Sequence, residues 1–291
     1  MVSNFLKNNA KKTDIFLKKY LNNQGNLGLM PAMKYGSFSG GKKIRSSIII
    51  GVGKLFNIKA KKLLNICAAV ECIHSYSLIH DDLPCMDNDR IRRSKLATHV
   101  KFGESTAILA GNSLLTLAFE MIVDRNYKIE NKAKLELVKT LALCSGHTGI
   151  AGGQYLDLSF ERKKKKFSDI INMQRKKTGK LFNFCCFAPG VIAKKNIKEL
   201  KFLSKLGEDI GLLFQLADDF IDTKGSKKIA GKSTKKDQIK GKSTLISLKG
   251  YDKANSFSLK LKKNILSKLQ KHGKKANDLI NIVKFILERN F

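Results

Sequence analysis

The sequence predicts an all-α protein, and three observations carry that reading. Proline is scarce, with only Pro31, Pro84 and Pro189 in 291 residues. Long stretches between them place apolar residues at helical spacing, and strand signals are weak. A proline inside a helix removes a hydrogen bond and crowds the preceding turn, so its scarcity leaves room for many long helices.

Taken in chain order, Phe5, Leu6, Ile15, Phe16, Leu17 and Leu21 make one amphipathic helix of roughly the first thirty residues, ending near Asn22-Asn23-Gln24-Gly25. A Gly- and Ser-rich loop, Tyr35-Gly36-Ser37-Phe38-Ser39-Gly40-Gly41, delivers Lys42, Lys43 and Arg45 to the start of the next helix. Basic groups there add to the positive dipole end and make an anion site. The run Ile48-Ile49-Ile50 resembles a buried strand, but apolar positions continue at helical spacing through Val52, Leu55 and Phe56, so Ile44 to Phe56 reads as a buried helix. Leu63 to His80 is apolar almost all round, which predicts a central helix packed on every side. It ends where Pro84 forbids continuation. Thr106 to Val123 and Leu135 to Tyr155, the latter with late glycines, give two more long helices. Met173 to Ile192, with a kink expected at Pro189, and Leu203 to Ile221 complete the set. With no solenoid repeat and no linker rich in Pro, Gly and Ser, residues 1–291 read as a single domain.

Hydrophobic residues make up 43% of the chain, with 17 Phe and no Trp, enough for a sizeable core and outside the disordered range. Six cysteines, at positions 67, 72, 85, 144, 185 and 186, form no C-x-x-C pair. They read as buried free thiols of a reducing compartment. Met1 to Tyr20 has no apolar core of a signal peptide, and no apolar run is expected to span a bilayer, so a cytoplasmic protein without a membrane anchor is expected. The formal charge is +32, but lysine is spread over nearly every segment. The run Lys163-Lys164-Lys165-Lys166 reads as a solvated inter-helix loop. Without a basic patch interleaved with aromatics, no specific nucleic-acid partner is expected.

Against that positive background stand two acidic clusters, Asp81-Asp82-Leu83-Pro84-Cys85-Met86-Asp87 and Asp218-Asp219-Phe220-Ile221-Asp222, in a chain with only 24 Asp plus Glu against 56 Lys plus Arg. Like charges gathered this tightly need compensation. All-oxygen carboxylate ligands select a hard cation such as Mg²⁺, which shares its shell with substrate phosphates. Lys42, Arg45 and the pair Arg92-Arg93 supply phosphate partners nearby, so the set describes a diphosphate site. Asp218 and Asp222, four apart, lie on one helical face, and carboxylates at a helix C-terminus oppose its dipole unless a cation holds them.

On these residues the chain resembles the trans-polyprenyl diphosphate synthases, over roughly residues 25 to 290. The carriers are Asp81-Asp82-x-x-x-x-Asp87 with Arg92-Arg93, Asp218-Asp219-x-x-Asp222 preceded by Phe214-Gln215, Gly40-Gly41-Lys42-x-x-Arg45, Gly152-Gly153-Gln154 and Lys177-Thr178-Gly179. The resemblance implies the isoprenoid synthase fold, a bundle of about ten or more helices around a deep central cavity. It implies two to three Mg²⁺ ions held by Asp81, Asp82, Asp87, Asp218, Asp219 and Asp222 on an allylic diphosphate. Lys42, Arg45, His74 and Arg93 would bind isopentenyl diphosphate, and Arg92, Lys177 and Lys232 the allylic one. Thr178 and Gln215 would face the developing cation, with Asp81, Asp82 and Lys177 also catalytic, and the chain would form a homodimer. The implied reaction is head-to-tail prenyl transfer by ionisation, condensation and proton elimination.

Two features resemble the bacterial members of that family that stop at fifteen carbons: Tyr76, five positions before the first aspartate and in the cavity wall by resemblance, and the two extra residues Pro84 and Cys85. His74 is assigned to the site by its motif position, and His80 reads as a packed core residue. Asn88, Asn112 and Leu245-Ile246 depart from the family pattern, the last putting closure of the lysine-rich segment 224–246 in question. Among rivals, a phosphate loop at Gly231-Lys232-Ser233 or Gly241-Lys242-Ser243 lacks its leading glycine, position 226 being Ser and 236 Lys. A terpene cyclase would lack the isopentenyl diphosphate residues, and a silent partner subunit would lose aspartates. A longer-chain synthase stays the nearest alternative.

Overall fold

In the computed structural model, residues 2–25, 27–224 and 241–288 are described, and most of them are helical. The order is α1 (Val2–Asn22), α2 (Met30–Ser37), α3 (Ile44–Leu55), α4 (Leu64–Asp81), α5 (Thr98–Phe102), α6 (Glu104–Val123), α7 (Asn131–Ser145), α8 (Ile150–Ser159) and α9 (Phe167–Gln174). A π-helical turn, Arg175–Gly179, leads into α10 (Lys180–Ile192) and α11 (Ile197–Lys224), followed by α12 (Leu245–Lys249), α13 (Tyr251–Gln270) and α14 (Asn277–Glu288). Among the described residues the only strands are β1 (Ile91–Arg92) and β2 (Lys95–Leu96), an antiparallel hairpin.

The all-round apolarity of α4 has its expected consequence. Ile66 through Ile73 are buried, as are Ser75, Tyr76 and Ile79, and the helix packs against α1, α3, α6 and α10. Burial on every face leaves its C-terminal end as the place where polar residues emerge. In α3, Ile48 and Ile49 are wholly buried on a helix, not a strand. α10 lies along α11, and α14 covers α3.

Several boundaries differ from expectation. Tyr35, Gly36 and Ser37 close α2, so the loop before α3 begins at Phe38; Pro31 in the first turn of α2 starts this helix, a position where its missing N–H costs nothing. The segment 135–155 is split between α7 and α8, the reversal capped by Thr148 Oγ1 donating to Leu143 O at 2.9 Å. The irregularity expected at Pro189 lies instead in the π turn at 175–179, and Pro189 sits inside α10. Cys85 is exposed, whereas the other five thiols are buried, and all six are free. By length and composition α6 does reach a bilayer-spanning apolar length, with a mean hydropathy of 1.6, against the expectation that no run would. It is a helix of the bundle, packed on α4, α5 and α7.

Candidate active site

A cavity of about 510 Å³ opens among the C-terminal end of α4, the N-terminal end of α3, α8, the π turn and α11. Its first carboxylates come from the turn after α4. Asp87 N donates to Asp81 O at 2.8 Å, Asn88 N to Leu83 O at 3.0 Å and Asp89 N to Asp82 O at 3.1 Å. These bonds fold the Pro84-Cys85 segment outward and return Asp87 beside Asp81, both lining the cavity. Asp82 does not line it. Only 2% exposed, it accepts from Arg92 Nε at 2.9 Å and from Arg92 Nη2, while Asp89 Oδ2 lies 3.6 Å from the same Nη2. The adjacent carboxylates of the first cluster thus separate, Asp81 into the cavity and Asp82 into a buried fork that fixes Arg92.

The hairpin divides the two arginines. Arg93 and Ser94 form its turn with φ of 51° and 61°, which returns the Arg93 guanidinium to the cavity, donating to Ser39 Oγ at 3.2 Å and to Gly40 O. Gly41, at φ 106°, holds a backbone conformation that residues with a side chain rarely adopt, and a Cβ there would lie 2.8 Å from Arg93 Cζ and push that guanidinium aside. At the start of α3, Lys42 Nζ stands 4.6 Å over the Phe285 ring, and the Arg45 guanidinium lies 4.9 Å from the Phe182 centroid and 5.7 Å from that of Phe214. Lys43 faces inward as a strut, 3.2 Å from Asp14 and 3.7 Å from Glu71. His74 lines the same wall, and burial followed by the positive charges of Arg45 and Arg93 lowers its pKa well below the usual imidazole value. It is a neutral hydrogen-bonding group. His80 belongs to the packing, its Nε2 3.1 Å from Ile108 O.

The π turn presents Lys177 and Thr178 to the cavity. It can do so because α8 presses directly against it at Gly153, where a Cβ would lie 2.1 Å from Lys177 N. Lys177 Nζ lies 2.6 Å from Asp157 Oδ2 on α8. Burial is the largest single influence and opposes its charge, but the carboxylates of Asp157, Asp81 and Asp87 together outweigh it and raise the Lys177 pKa. Thr178 Oγ1 donates to Gln215 Oε1 at 2.8 Å, and Gln215 Nε2 donates to Asp219 Oδ1 at 2.9 Å. Asp219 Oδ2 accepts from Gln174 Nε2 at 2.8 Å. Two amides therefore hold Asp219, while Asp218 and Asp222 line the cavity from one face of α11 with it.

Lys242 completes the site, its Nζ 3.3 Å from Asp157 Oδ2 and 3.4 Å from Asp87 Oδ1. Burial, with the like charges of Asp87 and Asp82, raises the Asp81 pKa to about 6 against the pull of Lys177 and Arg92. Such a carboxylate gains from a cation beside it. Among the described residues no three metal-ligating side chains converge into a closed cage. An open, all-oxygen set of Asp81, Asp87, Asp218 and Asp222 fits Mg²⁺, which keeps water and phosphate oxygens in its shell.

Of the residues singled out in the sequence, Lys42, Arg45, His74, Asp81, Asp87, Arg92, Arg93, Lys177, Thr178, Gln215, Asp218, Asp219 and Asp222 all line this one cavity. Asp82 and Tyr76 do not; Tyr76 is 9% exposed, its ring edge-on to His80 at 5.7 Å. Lys232 lies outside the described residues. The sequence assigned no role to Asp157 or Gln174, nor to Lys242 beyond its place in Gly241-Lys242-Ser243 and the lysine-rich segment 224–246. Asp157 had one local signal, standing three residues after Gln154 and so on the same helical face.

The polyprenyl synthetase family model matches residues 28–283. The chain is 37% identical over 270 residues to a farnesyl diphosphate synthase of Escherichia coli (strain K12), covering 91% of this chain and 90% of that protein. It is 37% identical over 268 residues to geranylgeranyl pyrophosphate synthase 4 of Arabidopsis thaliana, covering 91% of this chain and 72% of that one. Among solved structures, a geranyltransferase from Helicobacter pylori complexed with magnesium and isoprenyl diphosphate superposes with a TM-score of 0.84 at 30% identity, over 99% of this chain and 96% of that chain.

Proposed function

Because this chain belongs to the polyprenyl synthetase family, we propose that it is a Mg²⁺-dependent farnesyl diphosphate synthase, joining isopentenyl diphosphate to dimethylallyl or geranyl diphosphate. The observation that carries this reading is the convergence of Asp81, Asp87, Asp218 and Asp222 with Lys42, Arg45, Arg93 and Lys177 on one cavity.

Two to three Mg²⁺ ions, held by Asp81 and Asp87 of one motif and Asp218 and Asp222 of the other, would neutralise the departing diphosphate and so assist carbon–oxygen cleavage. Asp82 acts from behind the wall by fixing Arg92, and Asp219, within the lining, fixes Gln215. Lys177, Arg92 and Lys232 bind the allylic diphosphate, and Lys42, Arg45, Arg93 and neutral His74 bind isopentenyl diphosphate. As the allylic C–O bond breaks, its electron pair leaves with the diphosphate. The oxygens of Thr178 and Gln215 face the positive charge left on carbon. The isopentenyl double bond then forms the new carbon–carbon bond, and a proton passes to the released diphosphate. Apolar groups such as Ile150, Met173 and Phe214 in the lining keep water from the cation.

A main apolar core running from Leu6 to Leu287, with a smaller cluster around Leu216 and Leu245 beside it, supports a single domain. Exposed Ile108, Leu109 and Val123 on α6 with Leu135 and Leu143 on α7 support a homodimer through these helices, since apolar side chains in such number favour an interface. Free thiols support a cytoplasmic location. A longer-chain product is the second reading, favoured by Tyr76 not lining the cavity.

The test is incubation of the purified protein with isopentenyl and geranyl diphosphates and Mg²⁺, the dephosphorylated products being sized by chromatography. A C15 alcohol, lost with EDTA and in Asp81→Ala, is expected. Products of C20 or more support the second reading, and no elongation overturns both.

A further inference from the structure

Gln154 is a polar cavity residue that prenyl transfer as assigned to this site does not use. It is 6% exposed and lines the cavity. Neither its Nε2 nor its Oε1 has a hydrogen-bond partner. A buried amide with both ends unsatisfied is costly in the resting protein, and such groups persist where a bound molecule satisfies them. Gln174 also keeps its Oε1 without a partner, but its amide nitrogen and both ends of the Gln215 amide are taken. Gln215 receives from Thr178 and donates to Asp219, and Gln174 donates to Asp219.

The placement of Gln154 narrows what it meets. Ile150, Gln154 and Asp157, spaced by four and three, share one face of α8 and all line the cavity. Asp157 stands at the charged end, bound to Lys177 and Lys242, and Ile150 is apolar. Gln154 therefore marks the level at which the cavity changes from charged to apolar. Its neighbour Gly153 abuts the backbone of Lys177, which places Gln154 beside the turn carrying Thr178. A prenyl diphosphate with its charged head among the lysines has its reacting carbon at that boundary.

We propose that Gln154 is a further catalytic residue, its Oε1 dipole facing the allylic carbon as the C–O bond breaks and positive charge develops there. This assignment rests on the prenyl transferase reading of the same site. The electron pair still leaves with the diphosphate, and the charge on carbon is quenched by the isopentenyl double bond. Gln154 neither gains nor loses a proton.

The test compares wild type with Gln154→Met, a helix-compatible apolar side chain of similar length. Two quantities are read: the single-turnover rate with geranyl and isopentenyl diphosphates at saturating Mg²⁺, and the melting temperature of the ligand-free protein. The expected result is a rate lower by about a hundredfold, the low end for losing one preorganised group, with KM for both substrates within about twofold. Melting temperature should stay level or rise, because an unsatisfied amide has been replaced by an apolar group. An unchanged rate overturns the proposal, as does a lowered melting temperature, which makes Gln154 structural. A raised KM for geranyl diphosphate at unchanged kcat also overturns it, placing the amide on the diphosphate. A wild type that forms no prenyl product overturns the underlying reading as well, whereas an active wild type with an equally active variant overturns this assignment alone.

Discussion

Lys242 reaches across the cavity mouth to Asp87, its Nζ 3.4 Å from Oδ1, and so joins the segment before α12 to the first aspartate cluster. The same ammonium holds Asp157 at 3.3 Å. A positive charge already stands beside a carboxylate assigned to metal.

Removing that charge should strengthen metal binding in the absence of substrate. For Lys242→Met, Mn²⁺ affinity measured by calorimetry on the substrate-free protein is expected to rise by about fivefold, the effect of roughly 1 kcal/mol for a partly exposed pair. Equal or weaker affinity in the variant would show that Lys242 and the metal do not compete.

Asp157 lies between two ammonium groups. Burial raises its pKa, but Lys177 and Lys242 outweigh burial and hold it below 3.8, the value for an unperturbed carboxyl. A folded-state pKa below the unfolded one gives stability that is complete above the unfolded value and lost as pH falls through the folded one. Wild type should therefore melt higher than Asp157→Asn at neutral pH, and the difference should shrink below about pH 3.8. A difference independent of pH would remove the ion pairs from the account.

Asp209, 3% exposed, ties α11 to the π turn through Arg175 at 3.0 Å and to α13 through Lys268 at 3.1 Å. Asp209→Ala is expected to cost about 2–3 kcal/mol in urea unfolding, toward the low end for a broken buried pair because its partners can reach water. A loss under about 0.5 kcal/mol, the ordinary range of a surface change, would contradict this.

Tyr76 forms part of the core beside the cavity, in edge contact with His80. Tyr76→Ala should open space for a longer hydrocarbon and shift products from C15 toward C20 in the chromatographic assay. It should also lower stability by about 3–5 kcal/mol as an aromatic deletion, so the assay belongs well below the variant's melting temperature. Unchanged C15 output would sink the chain-length role.

Gly153→Ala puts a methyl group 2.1 Å from Lys177 N, and backbone on both sides leaves no flexible atom to yield. α8 and the π turn must separate, which should lower kcat by misplacing Lys177 and Thr178 while leaving the helical circular dichroism spectrum intact. Full activity would mean that the close approach is dispensable.

Much of the helical frame was legible because periodicity records burial. The apolarity of Ile66 to Ile73, broken only at Glu71, required a helix packed on all sides, and α4 is one. The reading failed where a local pattern has two solutions. Residues 35–37 look like loop by composition yet finish a helix whose first turn holds Pro31, and the glycines after α7 end that helix instead of continuing it. The π turn had no signature, since its wider winding is imposed by α8 and α11 packed against it.

By itself the sequence determined which chemistry is present: carboxylates in two clusters, basic groups ahead of and behind the first, and long helices to carry them. Only the tertiary structure decided that Asp81 enters the cavity while Asp82 is taken by Arg92, and that Asp218, Asp219 and Asp222 all line the wall with Asp219 held there by Gln174 and Gln215. It alone brought Lys242 to Asp87 across 155 positions of chain. The physical reason is range. Helical periodicity and charge clustering act between neighbours in the chain, whereas the partner of a carboxylate is fixed by which helices pack together and how closely their backbones approach.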